Sequence, residues 1–152
     1  MGGFYVVRVD GLALVPSAAV LGGPPSPANG WGLDSPLAAR IDAGGMNAPH
    51  TIVDSGTSFT YVPSAAFNAL KNAIAAFCSG GGGRCAGTLV AVPNESVCYR
   101  LPGGAAALAT FPALIIELQG GVVVDVAPEH LFINMDWDRY GAVRGARVPA
   151  LR

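Results

Sequence analysis

Apolar positions along this chain alternate over short stretches far more often than they recur at helical spacing. Tyr5, Val7 and Val9 share one face of the segment Phe4 to Asp10, and Gly11 separates it from a second apolar run, Leu12 to Val15; the pattern predicts a hairpin. Thr51-Ile52-Val53 is a short β-branched strand leading into Asp54-Ser55-Gly56, and Phe59, Tyr61 and Val62 resume an extended pattern beyond that turn. Further strands are predicted at Thr88 to Val92, Val97 to Leu101, Ala113 to Leu118 and Val122 to Val126, separated by Pro and Gly. One stretch alone has a sustained helical period. Pro63 suits a first turn, and Phe67, Leu70, Ile74 and Phe77 recur at intervals of three and four, so a helix is predicted from near Pro63 to near Phe77. Pro128 to Leu131 has room for one helical turn, Leu21 to Pro49 is mostly loop, and Asn134 to Arg152 has no clear period. The expectation is an all-β domain with one main helix and polar chemistry at a strand-turn-strand tip.

Composition narrows the function. The chain has 152 residues, 51% of them apolar and 12% charged, against about 25% charged in a typical soluble domain. That length suits one domain with a real core. The formal net charge is −1, and eight of the nine basic residues are scattered arginines, so nothing here attracts nucleic acid or an anionic membrane surface. The uncharged stretch Leu101 to Ile116 is interrupted by Pro102, Gly103, Gly104 and Pro112, and no membrane span is expected. Arg8 and Asp10 interrupt the apolar start, which lacks a signal-peptide layout; either the chain is intracellular or its true beginning lies upstream. Cys78, Cys85 and Cys98 are not accompanied by histidines at zinc spacing, and neither a metal nor a cofactor is expected.

The informative residues are Asp54-Ser55-Gly56-Thr57-Ser58-Phe59-Thr60, preceded by Ile52-Val53 and followed by Tyr61-Val62-Pro63 and the helix. This stretch resembles the active-site loop in the C-terminal lobe of plant and algal pepsin-like aspartic proteases. The similarity extends to Phe4 through Gly11, Gly22-Gly23, Cys98-Tyr99, Phe111 to Leu114, and Gly120 to Glu129, covering about residues 3 to 133. The resemblance implies a single lobe of the bilobal acid-protease fold in residues 1–133, followed by a divergent or truncated tail in 134–152. It further implies an aspartic endopeptidase component in which Asp54 is one of two catalytic carboxyls. Peptide hydrolysis without a covalent intermediate needs one group to take a proton from water and another to give one to the carbonyl oxygen, which two carboxyls sharing a proton can do. In that scheme Gly56 lets backbone approach the carboxylate, Ser55 hydrogen-bonds toward the sister lobe, Thr57 supports the carboxylate, and Thr57 and Ser58 border a peptide or protein substrate. No second such motif occurs in the chain, so the implied partner is an N-terminal lobe carrying the other aspartate, and the isolated chain is expected to be an inactive fragment with apolar surface left uncovered.

Two other functions stay open. Plant xylanase inhibitors share the bilobal fold with degraded catalytic motifs, which gives a non-catalytic binding module; the full motif around Asp54 argues against it. A self-associating lobe similar to retroviral proteases would bring two copies of Asp54 together about a two-fold axis. Cys78 and Cys85 flank a Gly-rich loop that closes easily, so they are expected to bridge in an oxidising compartment. Cys98 resembles a family cysteine whose partner lies further downstream, and is expected to remain a thiol here. Asn94-Glu95-Ser96 is a glycosylation acceptor pattern, which with the resemblance implies a secretory, vacuolar or extracellular location. His50 lies four residues before Asp54 but has no serine nucleophile with it. His130 reads as a surface residue, and Asp136-Trp137-Asp138 as a solvated acidic loop lacking the calcium-loop pattern.

Overall fold

β-Branched and long apolar residues concentrated between Val9 and Val15 and between Phe111 and Leu118 decide where the core forms, because each run is long enough to be covered on both faces. A computed structural model describes residues 5–17, 39–41, 45–47, 51–53, 60–80, 85–90, 98–135 and 145–147. In chain order its elements are β1 (Tyr5–Val7), β2 (Val9–Pro16), β3 (Ala39–Ile41), β4 (Thr51–Val53), helix α1 (Ser64–Ser79), β5 (Thr88–Val90), β6 (Cys98–Arg100), α2 (Gly104–Leu108), β7 (Pro112–Leu118), β8 (Val122–Val126), α3 (Pro128–Leu131), β9 (Ile133–Met135) and β10 (Gly145–Arg147). The fold is mostly β, with one main helix, as expected for a single lobe of the pepsin-like type.

Among the described residues three sheets share the strands. One of four strands has the order β3-β2-β7-β8, a second of four strands has the order β5-β6-β10-β9, and β1 and β4 form a two-stranded ribbon. β2 runs antiparallel to β7 from Val9 opposite Leu118 to Pro16 opposite Pro112, with a register shift between Val9 and Gly11. β7 and β8 form a hairpin whose loop holds Gly120 and Gly121 at φ 90° and 78°, backbone angles that side chains other than glycine's rarely allow.

α1 lays Phe67, Leu70 and Ile74 into the core beside Leu12, Leu14, Ile41 and Leu114. The helix runs to Ser79, past the last apolar repeat at Phe77, because the Ser79 hydroxyl donates to the Ala75 carbonyl at 2.8 Å and Gly80 N–H donates to Ala76 at 3.0 Å. At the other side of the core, Tyr99, Phe111 and Phe132 meet edge to face, with ring centroids 4.9 Å apart for Tyr99–Phe111 and 5.0 Å for Phe111–Phe132. Gly87 lies hard against this cluster. A Cβ there would stand 2.7 Å from Leu101 Cδ2 and 2.9 Å from Phe111 Cζ.

Several local expectations change. β1 and β2 do not form a hairpin, because Gly11 is a residue inside β2 at the register shift instead of a turn, and β1 pairs with β4. The Gly104–Leu108 helix went unread; its Ala-rich sequence has high helix propensity but no polar face to give a period. Strand pairing also continues past residue 133, with β10 bonding to both β6 and β9.

The Tyr99 hydroxyl is buried and has no hydrogen-bond partner among the described residues, and burial pushes its pKa up. An unsatisfied buried hydroxyl costs about 1–3 kcal/mol. Tyr99→Phe is therefore expected to raise the thermal unfolding midpoint by a few degrees, about 1 kcal/mol at this size. The raised pKa favours the folded state below the tyrosine's ordinary value, and that contribution is lost as pH climbs through the folded value, so the benefit should widen at strongly alkaline pH. A lower midpoint for the variant would show that the hydroxyl is satisfied.

Candidate active site

The ribbon of β1 and β4 delivers the motif. Tyr5 lies opposite Val53, Val6 opposite Ile52 and Val7 opposite Thr51, so the chain leaves the ribbon at Val53 and enters Asp54 directly. It re-emerges at Thr60, passes exposed Tyr61 and reaches Pro63, whose carbonyl accepts the Phe67 N–H at 2.9 Å and opens α1. The buried face of α1 thus anchors one end of the motif, and the short ribbon holds the other. Asp54, Ser55, Gly56, Thr57 and Ser58 themselves lie outside the described residues, as do His50, Asn94 and Asp136 to Asp138.

The ribbon is strongly apolar and strongly exposed. Tyr5 is 81% exposed, Val6 59%, Val53 56% and Tyr61 60%. Scattered exposed apolar side chains are ordinary, but with Ile52 at 46% there are five on the two strands and exit segment framing one motif, which concentrates apolar surface there. The ion pair of Arg8 with Asp10, at 3.3 Å, is on the surface and adds little stability.

Asn47 is the residue near the site that sequence reasoning missed. Its side chain bonds twice to the backbone of Val9, accepting from Val9 N–H and donating to the Val9 carbonyl, both at 2.8 Å. The signal is weak, since an asparagine in Gly44-Gly45-Met46-Asn47 reads as an ordinary turn residue.

Elsewhere, partial desolvation and the Glu129 carboxylate raise the pKa of Asp125, which stays exposed on β8. Its carboxyl therefore favours the folded state below its ordinary pKa and loses that advantage as pH rises through the folded value. Asp125 belongs to β8, not to the ribbon. His130 is exposed on α3. Among the described residues no group of three His, Cys, Asp or Glu could hold a metal ion, and no helix is long and apolar enough to cross a membrane.

Cys78, near the end of α1, and Cys85, buried before β5, form a disulfide with Cα atoms 4.8 Å apart. Cys98 is buried beside Tyr99 and lies outside that bridge. The bridge closes a loop with a sequence separation of 7, for which chain entropy gives about 2–3 kcal/mol. Reduction, or Cys78→Ser, is expected to lower the unfolding midpoint by about 5–10 °C. An identical melt with and without reductant would contradict this.

Comparison with known proteins gives one family: the model described as xylanase inhibitor C-terminal matches residues 34–142, which is most of the chain and includes Asp54 through α1. No curated protein and no solved structure matches the chain.

Proposed function

This chain belongs to the xylanase inhibitor C-terminal family, within the pepsin-like aspartic protease superfamily, and from that premise we propose that it is the half of an acid-pH endopeptidase that contributes Asp54. The single observation that carries the reading is the unbroken sequence Asp54-Ser55-Gly56-Thr57-Ser58 between β4 and α1. A binding module has no need of a carboxylate, a close-approach glycine and three hydroxyl residues in that order. Hydrolysis does: Asp54 and a like carboxyl share one proton, one activating water while the other protonates the substrate carbonyl.

The second carboxyl belongs to an N-terminal lobe, and the exposed ribbon carrying Tyr5, Val6, Ile52 and Val53 is the surface it covers. The substrate is a peptide or protein. The location that suits the disulfide and the Asn94-Glu95-Ser96 acceptor is the secretory pathway, with the mature protein vacuolar or extracellular.

The family's own description favours a second reading, in which the protein binds a xylanase and cleaves nothing. One experiment separates the two. The two-lobed protein is assayed at acid pH for peptide cleavage and, separately, for inhibition of a xylanase. Pepstatin-sensitive cleavage supports the protease; inhibition without cleavage replaces it with the binding module. Size-exclusion chromatography of this chain tests the retroviral-like arrangement, which requires a dimer.

A further inference from the structure

Val9 stands at a joint between sheets. β3 covers β2 only from Leu12 to Leu14, and β4 pairs with β1 only as far as Val7, so neither strand reaches Val9. Val9 is nevertheless 4% exposed, and a buried backbone group left unpaired costs about 1–3 kcal/mol. The Asn47 amide satisfies both groups at once, with two bonds of 2.8 Å. A carboxamide presents an acceptor and a donor side by side, as a peptide group does. From the surface, Asn47 thus takes the place of a strand residue on the edge of β2 away from β7, whose Leu118 lies opposite Val9 on the other edge. Four residues on, the Thr51 hydroxyl donates to the Met46 carbonyl at 2.6 Å, tying the start of β4 to the residue before Asn47.

We infer that Asn47 is a positioning residue for Asp54, acting by fixing the register of β4 on β1; the inference rests on the protease reading above. The ribbon cannot fix its own register. It has three residues a strand, too few pairs to hold one alignment by themselves, and covering a face penalises only slips that turn side chains to the other side. A slip of two residues keeps every side chain on its face while moving the chain about 7 Å along the strand. Asp54 follows Val53 directly and would move with it. An error of about 1 Å in a reacting group can cost about 100-fold in rate, so a ribbon held only by its own few bonds would not keep a carboxylate on station. The Asn47–Val9 clamp and the Thr51–Met46 bond supply the missing constraint from outside the ribbon.

The test is made first in the two-lobed protein. Asn47→Ala is expected to lower kcat about 10- to 100-fold with KM within about twofold, because the reacting carboxyl moves while the substrate-binding surface stays. Asn47→Asp, whose neutral carboxyl at acid pH carries both a donor and an acceptor, should recover most of the loss. A second readout uses this chain and needs no activity: amide exchange of β4 should quicken in Asn47→Ala and, to a lesser degree, in Thr51→Val, which removes only the hydroxyl and stands in if the first variant does not fold. Unchanged kcat in Asn47→Ala beside an inactive Asp54→Asn overturns this inference and leaves the protease reading standing. Undiminished cleavage by Asp54→Asn overturns the protease reading and this inference with it. Unchanged β4 exchange in both variants overturns the register claim by itself.

Discussion

Asp54→Asn is expected to reduce acid-pH peptide cleavage by the two-lobed protein by about a thousandfold or more, within the range that loss of a positioned acid or base produces. An amide neither takes a proton from water nor gives one to the carbonyl oxygen, so the substitution removes half of the shared-proton pair with almost no change in shape. The same logic sets the expectation for this chain alone, whose sequence holds a single Asp-Ser-Gly motif and so supplies one carboxyl of a pair that must divide the acid and base roles. It should cleave nothing. Pepstatin provides the control, since its hydroxyl mimics the transition state and gains affinity between two carboxyls. Cleavage by monomeric chain that pepstatin blocks would overturn the two-lobe reading, whereas activity rising with the square of chain concentration would favour two copies of Asp54 in one site.

What the sequence makes legible follows from how each signal arises. α1 could be read because Phe67, Leu70 and Ile74 all face one core, so burial and period coincide. β7 and β8 could be read because Gly120-Gly121 punctuates two β-branched runs. The hairpin assigned to β1 and β2 failed because Gly11 has two uses, turn or register shift, and local sequence does not distinguish them; the choice is made by Glu117 and Ile116 of β7, which lie opposite Gly11 and Leu12 across the sheet. β3, β9 and β10 are three-residue strands, too short to carry a period of their own; β3 forms on the edge of the eight-residue β2, and β10 forms between β6 and β9. In the candidate site the motif is a signal of composition at fixed spacing and was readable. Asn47 was not, since its role depends on Val9, thirty-eight residues away in the chain.

Phe111→Ala is expected to cost about 4 kcal/mol, the largest stability loss of any single substitution considered for this chain. Phe111 is fully buried, and its ring meets Tyr99 on one side and Phe132 on another. Each aromatic pair adds about 0.5–1.5 kcal/mol beyond simple burial. The neighbours cannot collapse into the void, because Tyr99 is held on β6, Phe132 follows α3, and Ser17 ties the segment before Phe111 by donating to the Ala109 carbonyl at 2.5 Å. A domain of this size has about 5–15 kcal/mol in all, so the variant should fold only marginally, which denaturant titration would measure. Gly87 supplies the control for a cavity mechanism. In the native protein Gly87→Ala forces a methyl to within 2.9 Å of Phe111 Cζ and should destabilise by about 1–3 kcal/mol through overpacking. In the Phe111→Ala background that ring atom is gone and the remaining close neighbour, Leu101 Cδ2 at 2.7 Å, is the end of a side chain that can turn into the void, so the same methyl should cost at least about 1 kcal/mol less, the signature of residues sharing one volume. Strict additivity of the two substitutions would mean that the loss at Phe111 does not come from a cavity against Gly87.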